Sequence, residues 1–352
     1  MLVQVAHILP LTVVQRSREL PLPGEVLVRA GQKVRASDVI GRAVTTPQHL
    51  VLNVAKALGV SDLREVRQYI EREVDENVEE GDILASRSGL GKRVFRAPVA
   101  GTIKLIWRGN VLLRVKSDPY ELRAGLPGMV TSLIPDMGAV IQSIGALVQG
   151  MWGNGKVDFG LMNVLAQSAD HVLTTDQIDV SMRGSVVLAG HCESESVLRY
   201  TAEQRLRGLI LSSMPPELER IALELPFPVV LTEGFGERNM NTAAFQLLST
   251  NDKRDIALNA EPFNRAKGTR PELLIPLPGT NNMEPPPEME TPLPGQRVRL
   301  LRNPYLGYIG TIDTVIPGMT RLPSGLRVQV ANIRLENNEL LKVPLTNFEI
   351  LK

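Results

Sequence analysis

Between Pro276 and Pro294 the chain carries a dense run of prolines, with Pro285-Pro286-Pro287 at its middle. Each proline fixes φ and removes a backbone N–H, so the run can sustain neither a helix nor a central strand and reads as an extended, exposed tether. It is the firmest boundary in a chain of 352 residues, a length that exceeds one ordinary core and implies several packed bodies. The expected division is a β-rich first domain over 1–125, a β-rich connecting segment over 126–175, an α/β domain over 176–275, the proline-rich linker over 276–294 and a small β-barrel over 295–352.

Composition narrows the function classes. A net charge of +1 gives no global attraction to nucleic acid or to membranes, so any electrostatic partner must be met locally. With 29 glycines, 25 prolines and only 4% aromatic residues, many turns and short strands are expected. The single cysteine, Cys192, excludes an internal disulfide and a multi-thiolate metal site, which fits a reducing cytoplasm. Neither metal nor cofactor is implied. The segment from Met1 to Val14 has no basic residue ahead of its apolar run, is interrupted by Pro10 and lacks a small-residue cleavage pattern, so it reads as a first strand rather than a signal peptide. Met137 to Gly155 carries no charge, yet its glutamines and glycines favour a buried β-rich segment over a membrane span.

Residues 30–41 superpose without gaps on residues 74–85, placing Val34 on Val78 and Asp38 on Asp82. Each copy reads as a turn, a buried valine, a second turn closed by the aspartate and a short apolar strand, and the pair suggests one pseudo-symmetric barrel. Together with Ala97-Pro98-Val99-Ala100-Gly101-Thr102-Ile103, this layout resembles the barrel-sandwich hybrid of biotinyl and lipoyl carrier domains. That resemblance implies a modified lysine on a hairpin. The candidate is Lys92, but its neighbours Gly91 and Arg93 depart from the carrier motif, and a solvated Lys92 in a structural barrel is the favoured reading.

From Gly184 the sequence alternates strand and helix. Apolar strands are expected at Ser185 to Ala189, Gly208 to Leu211 and Phe227 to Leu231, with helices from about Glu195 to Leu206, from Pro215-Pro216 to Leu225 and from Asn241 to Leu248. Such alternation implies a parallel sheet, whose ligands sit beyond the carboxyl ends of the strands. Those ends carry Ser212, Ser213 and the loop Thr232-Glu-Gly-Phe-Gly-Glu-Arg238. There Gly234 and Gly236 could bring backbone amides to an anion, with Glu233 and Arg238 beside them. The blander account gives the glycines to the turn alone and leaves Glu233 solvated. His191 and Cys192 are adjacent on an extended backbone, point apart and make no dyad.

In the tail, Pro304-Tyr305-Leu306-Gly307-Tyr308-Ile309-Gly310-Thr311-Ile312 lies between alternating apolar runs that read as strands. This resembles the KOW motif of transcription elongation factors and ribosomal proteins, an SH3-like barrel, with Gly307 and Gly310 on the motif's spaced glycines and Asn303 where a further glycine usually stands. The tail carries eight Lys and Arg residues against four Asp and Glu. Arg297, Arg299, Arg302, Tyr305, Gly307, Tyr308 and Gly310 are the candidate contacts to nucleic acid or to a protein partner. Taken together the chain reads as α/β and all-β multidomain, a non-catalytic binding or adaptor protein whose tail contacts RNA, ribosome or polymerase, or a protein complex, and not a membrane. The alternative is an enzyme or enzyme subunit holding an anionic metabolite in the α/β crevice.

Overall fold

The computed structural model describes residues 2–44, 48–88, 92–116, 119–264, 268–279 and 284–352. Lys92 falls among them, whereas Gly89 to Gly91 of its hairpin and residues 280–283 of the spacer lie outside. The protein is mainly β, 46% strand and 13% helix, built from several sheets. Among the described residues no helix is long and apolar enough to cross a membrane.

The strands Val157–Val164, Val186–Leu188, Gly208–Met214 and Val229–Phe235 lie side by side and parallel. Their apolar runs are buried on both faces, which is why they read as continuous rather than alternating. Val187, Leu209, Leu211, Val229 and Leu231 face one core with Val197, Leu198 and Ala222 from the helices Glu195–Glu203 and Glu219–Glu224. Val186, Leu188, Ile210 and Val230 face the other with Ala244 and Leu248 from the helix Thr242–Ser249. Asn241 opens that last helix by accepting a hydrogen bond from the Ala243 amide.

Beyond Val157–Val164 the sheet continues antiparallel through Asp255–Asn259 and Glu272–Pro276 to the twelve-residue strand Gly138–Gln149. The charge-free stretch from Met137 therefore forms a strand, paired along one edge with Ile8–Glu19 and along the other first with Gly128–Ile134 and then with Glu272–Pro276. Gly145 sits where the two partners on that second edge meet. A Cβ there would lie 2.1 Å from the Ile275 carbonyl oxygen, so only glycine permits the close approach. This one strand welds the α/β sheet to the first β-rich body.

The two copies of the internal repeat are structurally equivalent to the level of single hydrogen bonds. Asp38 accepts from the Arg35 amide and Asp82 from the Glu79 amide, closing the same turn in each. Gly31 and Asp75, which align, both adopt left-handed φ, +81° and +68°. Val34 pairs with Gly128, and Val78 with Gly101. The amides of Ala124 and Ala97 bond to the carbonyls of Asp38 and Asp82 respectively. The repeat therefore extends to a returning strand in each copy, 124–130 in one and 97–103 in the other. The copies do not share a core: Val34 and Ile40 pack with Val130 and Ile141, whereas Val78 and Leu84 pack with Ile103 and Leu113. One body is nested in the sequence of the other, instead of the two copies forming halves of a single barrel.

The tail strands Arg297–Leu300, Ile309–Arg321, Arg327–Leu335 and Leu340–Pro344 form consecutive antiparallel neighbours. The last strand, Phe348–Leu351, pairs with Arg297–Leu300 on one side and, in parallel, with Val3–Ala6 on the other. The beginning of the chain is thus a strand of the tail sheet. Val3 and Val5 fill its core with Val298, Ile333, Phe348 and Ile350. Asp at Val5 would place a charge in a site 2% exposed and is expected to destabilise this sheet by about 3 kcal/mol. Amide exchange in Arg297–Leu300 and Phe348–Leu351 should accelerate while Gly208–Met214 stays protected; equal acceleration in both would contradict a locally closed tail core.

Candidate functional site at the seam between the α/β sheet and the tail

The tail docks on the loop at the carboxyl end of the parallel strand Val229–Phe235. Glu233, at the end of Val229–Phe235, accepts from the Asn241 amide with Oε1 (3.0 Å) and from Arg299 Nη1 with Oε2 (2.9 Å). The same Arg299 Nη1 donates to the Thr232 carbonyl at 2.9 Å, and Nε donates to Glu349 Oε1 at 2.8 Å. The second oxygen of Glu349 accepts from Arg270 Nη2 at 2.9 Å. A row of alternating charges, Glu233, Arg299, Glu349 and Arg270, therefore runs through the seam, with side chains only 6%, 4%, 0% and 5% exposed.

Burial alone would push the Glu349 carboxyl up, but the charges of Arg299 and Arg270 and their hydrogen bonds outweigh it and hold the group below the usual carboxylate range. Burial likewise opposes the charged Arg299 guanidinium, and Glu349 and Glu233 more than offset it, raising its pKa. Arg299 is thus an internal tie and does not offer its guanidinium to an outside partner. Glu233 is equally buried and ion-paired, where the turn-only reading of the loop left it in solvent.

Arg238 makes a second tie. Its Nε donates to the Phe235 carbonyl at 3.1 Å, Nη2 donates to the Leu306 carbonyl, and the guanidinium lies 5.7 Å from the centroid of Tyr308. Gly307 has φ +79°, and a Cβ on it would sit 2.7 Å from the Arg238 guanidinium carbon, so this glycine serves both the turn and the docking. Gly234 and Gly236 have φ +85° and +100°, the left-handed region, and shape the turn that presents Arg238. A Cβ on Gly310 would sit 2.7 Å from the Arg334 carbonyl oxygen, so its strand pairing requires glycine. Tyr305 and Tyr308 pack edge to face at 5.7 Å, and the Tyr305 hydroxyl donates to Glu339. Both rings are engaged within the protein.

A cavity of about 400 Å³ remains beside this seam, lined by Glu233, Glu237, Arg238, Tyr308, Glu336 and Asn337. Two of its three carboxylates are already paired, Glu233 with Arg299 and Glu336 with Arg297, and its guanidinium is tied to the Leu306 carbonyl. Ser212 and Ser213 are fully buried. Ser213 Oγ donates to the Arg238 carbonyl (2.8 Å) and accepts from the Arg238 amide (3.0 Å). His191 Nδ1 lies 2.8 Å from the same oxygen. Cys192 is buried, which pushes its thiol up to about 11. Among the described residues no group of His, Cys, Asp and Glu side chains could hold a metal ion.

Outside the seam the tail charges sort themselves. Asp313 pairs with Arg334, Glu336 with Arg297, and Glu349 with Arg299 and Arg270, while Glu339 holds the Tyr305 hydroxyl. Lys352 pairs with Glu290. Among the described residues Arg302, Arg321, Arg327 and Lys342 have no ion pair, and all four are exposed. The local positive excess expected from composition thus resides in these four side chains. Of the tail residues singled out from the sequence, Arg297, Arg302 and Tyr308 are exposed, Arg297 already bridged to Glu336 and Tyr308 packed against Arg238 and Tyr305. Comparison with protein-family models and with curated proteins finds no match to this chain.

Arg299→Ala leaves Glu349 and Glu233 short of a partner in a buried seam, and a loss of about 3–5 kcal/mol in unfolding free energy is expected. Because the folded Glu349 pKa is depressed, its contribution is complete above the unfolded value near about 4.3 and fades as pH falls below it through the folded pKa. Urea melts of wild type and Glu349→Gln should therefore converge as the pH is lowered through that range. Parallel curves would count against the tie. In the native protein Cys192 should resist iodoacetamide at pH 8 and react only on unfolding, as a mass shift would report.

Proposed function

We propose that this chain is a non-catalytic binding protein whose tail, an SH3-like barrel of the KOW type, engages nucleic acid through its outward face, with the rest of the molecule as a rigid mount. One observation carries the reading: every tail carboxylate is bound to an internal partner, while Arg302, Arg321, Arg327 and Lys342 face solvent without one. Unneutralised cations on a fixed scaffold attract polyanions and release condensed counterions on binding. The two nested β-rich bodies are taken in this reading as hybrid barrels that supply support and spacing, with Lys92 unmodified. A reducing cytoplasm is the compartment proposed.

The enzyme alternative has less behind it. The loop from Thr232 to Arg238, on which a metabolite site would rest, spends its polar groups on docking the tail. Filter binding of the full chain to mixed-sequence RNA and DNA should show retention that weakens as salt rises from 50 to 200 mM, and Arg302→Glu with Lys342→Glu should lower affinity about tenfold. Salt-independent or absent retention would overturn the reading.

A further inference from the structure

The strands Ile309–Arg321 and Arg327–Leu335 outrun the sheet that contains them. Arg297–Leu300 covers only Ile309 to Thr311, and Leu340–Pro344 covers only Val330 to Arg334. From Asp313 to Gln329 the strands pair solely with each other, and no residue in that stretch is buried. They form a two-stranded arm on the order of 20 Å long, from Val315 to its tip. A bulge lies between Ile316 and Thr320, and Gly318 in it has φ +79°. The tip turns at Leu322 to Leu326, where Leu322 and Leu326 share a backbone hydrogen bond of 2.8 Å.

The chemistry of the arm is unusual for an exposed ribbon. From Thr314 to Asn332 its only charged residues are Arg321 and Arg327, and the register sets them directly opposite one another. Like charges in cross-strand positions repel, and no carboxylate on the arm relieves them. Met319 and Leu326 stand beside them, 63% and 62% exposed. Held in water, this combination costs stability and returns nothing; set against phosphates, the paired guanidinia gain charge-assisted hydrogen bonds.

We propose that this arm enters a groove of B-form duplex DNA, with Arg321 and Arg327 on the phosphates and the apolar tip against the base edges. The proposal rests on the nucleic-acid reading of the tail and names its ligand class. A major groove about 12 Å wide admits a two-stranded ribbon, whereas the deep, narrow major groove of A-form RNA does not. Single strands are disfavoured on separate grounds. Their recognition depends on aromatic stacking, and the arm has no Phe, Tyr or Trp from Thr314 to Asn332.

Fluorescence anisotropy of the full chain with a labelled 25-base-pair DNA duplex, the RNA duplex of the same sequence and the single DNA strand tests this. The DNA duplex should bind most tightly. Arg321→Gln with Arg327→Gln should reduce the dependence of log K on log salt by about two, equivalent to about tenfold in the change between 50 and 200 mM. Because both side chains are exposed and their opposed charges repel, unfolding curves of this variant should show stability equal to or slightly above wild type. Wild-type binding by the Gln variant, with loss confined to Arg302→Glu and Lys342→Glu, would overturn the arm and leave the tail reading standing. Tighter binding of the RNA duplex or the single strand would overturn the groove assignment. No binding to any of the three would remove both.

Discussion

The row Glu233, Arg299, Glu349 and Arg270 decides how the molecule is put together. Four buried charges in the seam keep their ion-pair partners only while the α/β sheet and the tail sheet stay in register. A buried ion pair of this kind contributes little net stability compared with apolar packing, but it is costly to break, so it specifies one docking geometry over others. Arg299 and Glu349 are cross-strand partners within the tail, Glu233 belongs to the parallel sheet, and Arg270 immediately precedes the strand Glu272–Pro276. Arg238, resting on Gly307 and Tyr308, repeats the same docking a few residues away.

Fixing that face of the tail has two effects. It commits polar groups of the loop Thr232 to Arg238, at the carboxyl end of Val229–Phe235, to docking the tail. It also leaves exposed the cations Arg302, Arg321, Arg327 and Lys342 and the arm that carries two of them. The strand Val3–Ala6 adds a further constraint: it is hydrogen-bonded to Phe348–Leu351 in the tail sheet and leads directly into Ile8–Glu19, which pairs with Gly138–Gln149. The proline-rich spacer therefore joins bodies that are also held together directly.

Local features of the fold were legible in the sequence because they follow from local physics. The βα alternation after Gly184 appears as parallel strands and helices close to the expected places, since apolar runs buried on both faces leave a plain signature. The turns closed by Asp38 and Asp82 follow from an aspartate accepting an amide three residues back. Long-range placement was not legible. Residues 30–41 and 74–85 look like two halves of one unit, and nothing local says that each closes a core of its own. Val3 to Ala6 reads as a strand, but its partners are more than 280 residues away.

The candidate site shows the same division. Gly234, Gly236 and Gly307 were recognised as special, and their positive φ bears on the turns. The roles of Glu233, Arg238 and Arg299 depend on which face another sheet covers. Period-two reading of Arg297 to Leu300 and Phe348 to Leu351 puts Arg299 and Glu349 on the face away from Val298 and Ile350. Such a face is normally solvent, and only Thr232 to Arg238 arriving from the α/β sheet makes it interior. Glu349 and Arg270 had no local signal at all.

Hydrogen exchange across the whole chain, measured with and without saturating duplex DNA, tests the central claim most directly. The account predicts new protection at Thr314 to Asn332 and near Arg302 and Lys342, with Thr232 to Arg238 slow to exchange in both states. Ligand-dependent protection at Thr232 to Arg238, with the arm unchanged, would contradict it.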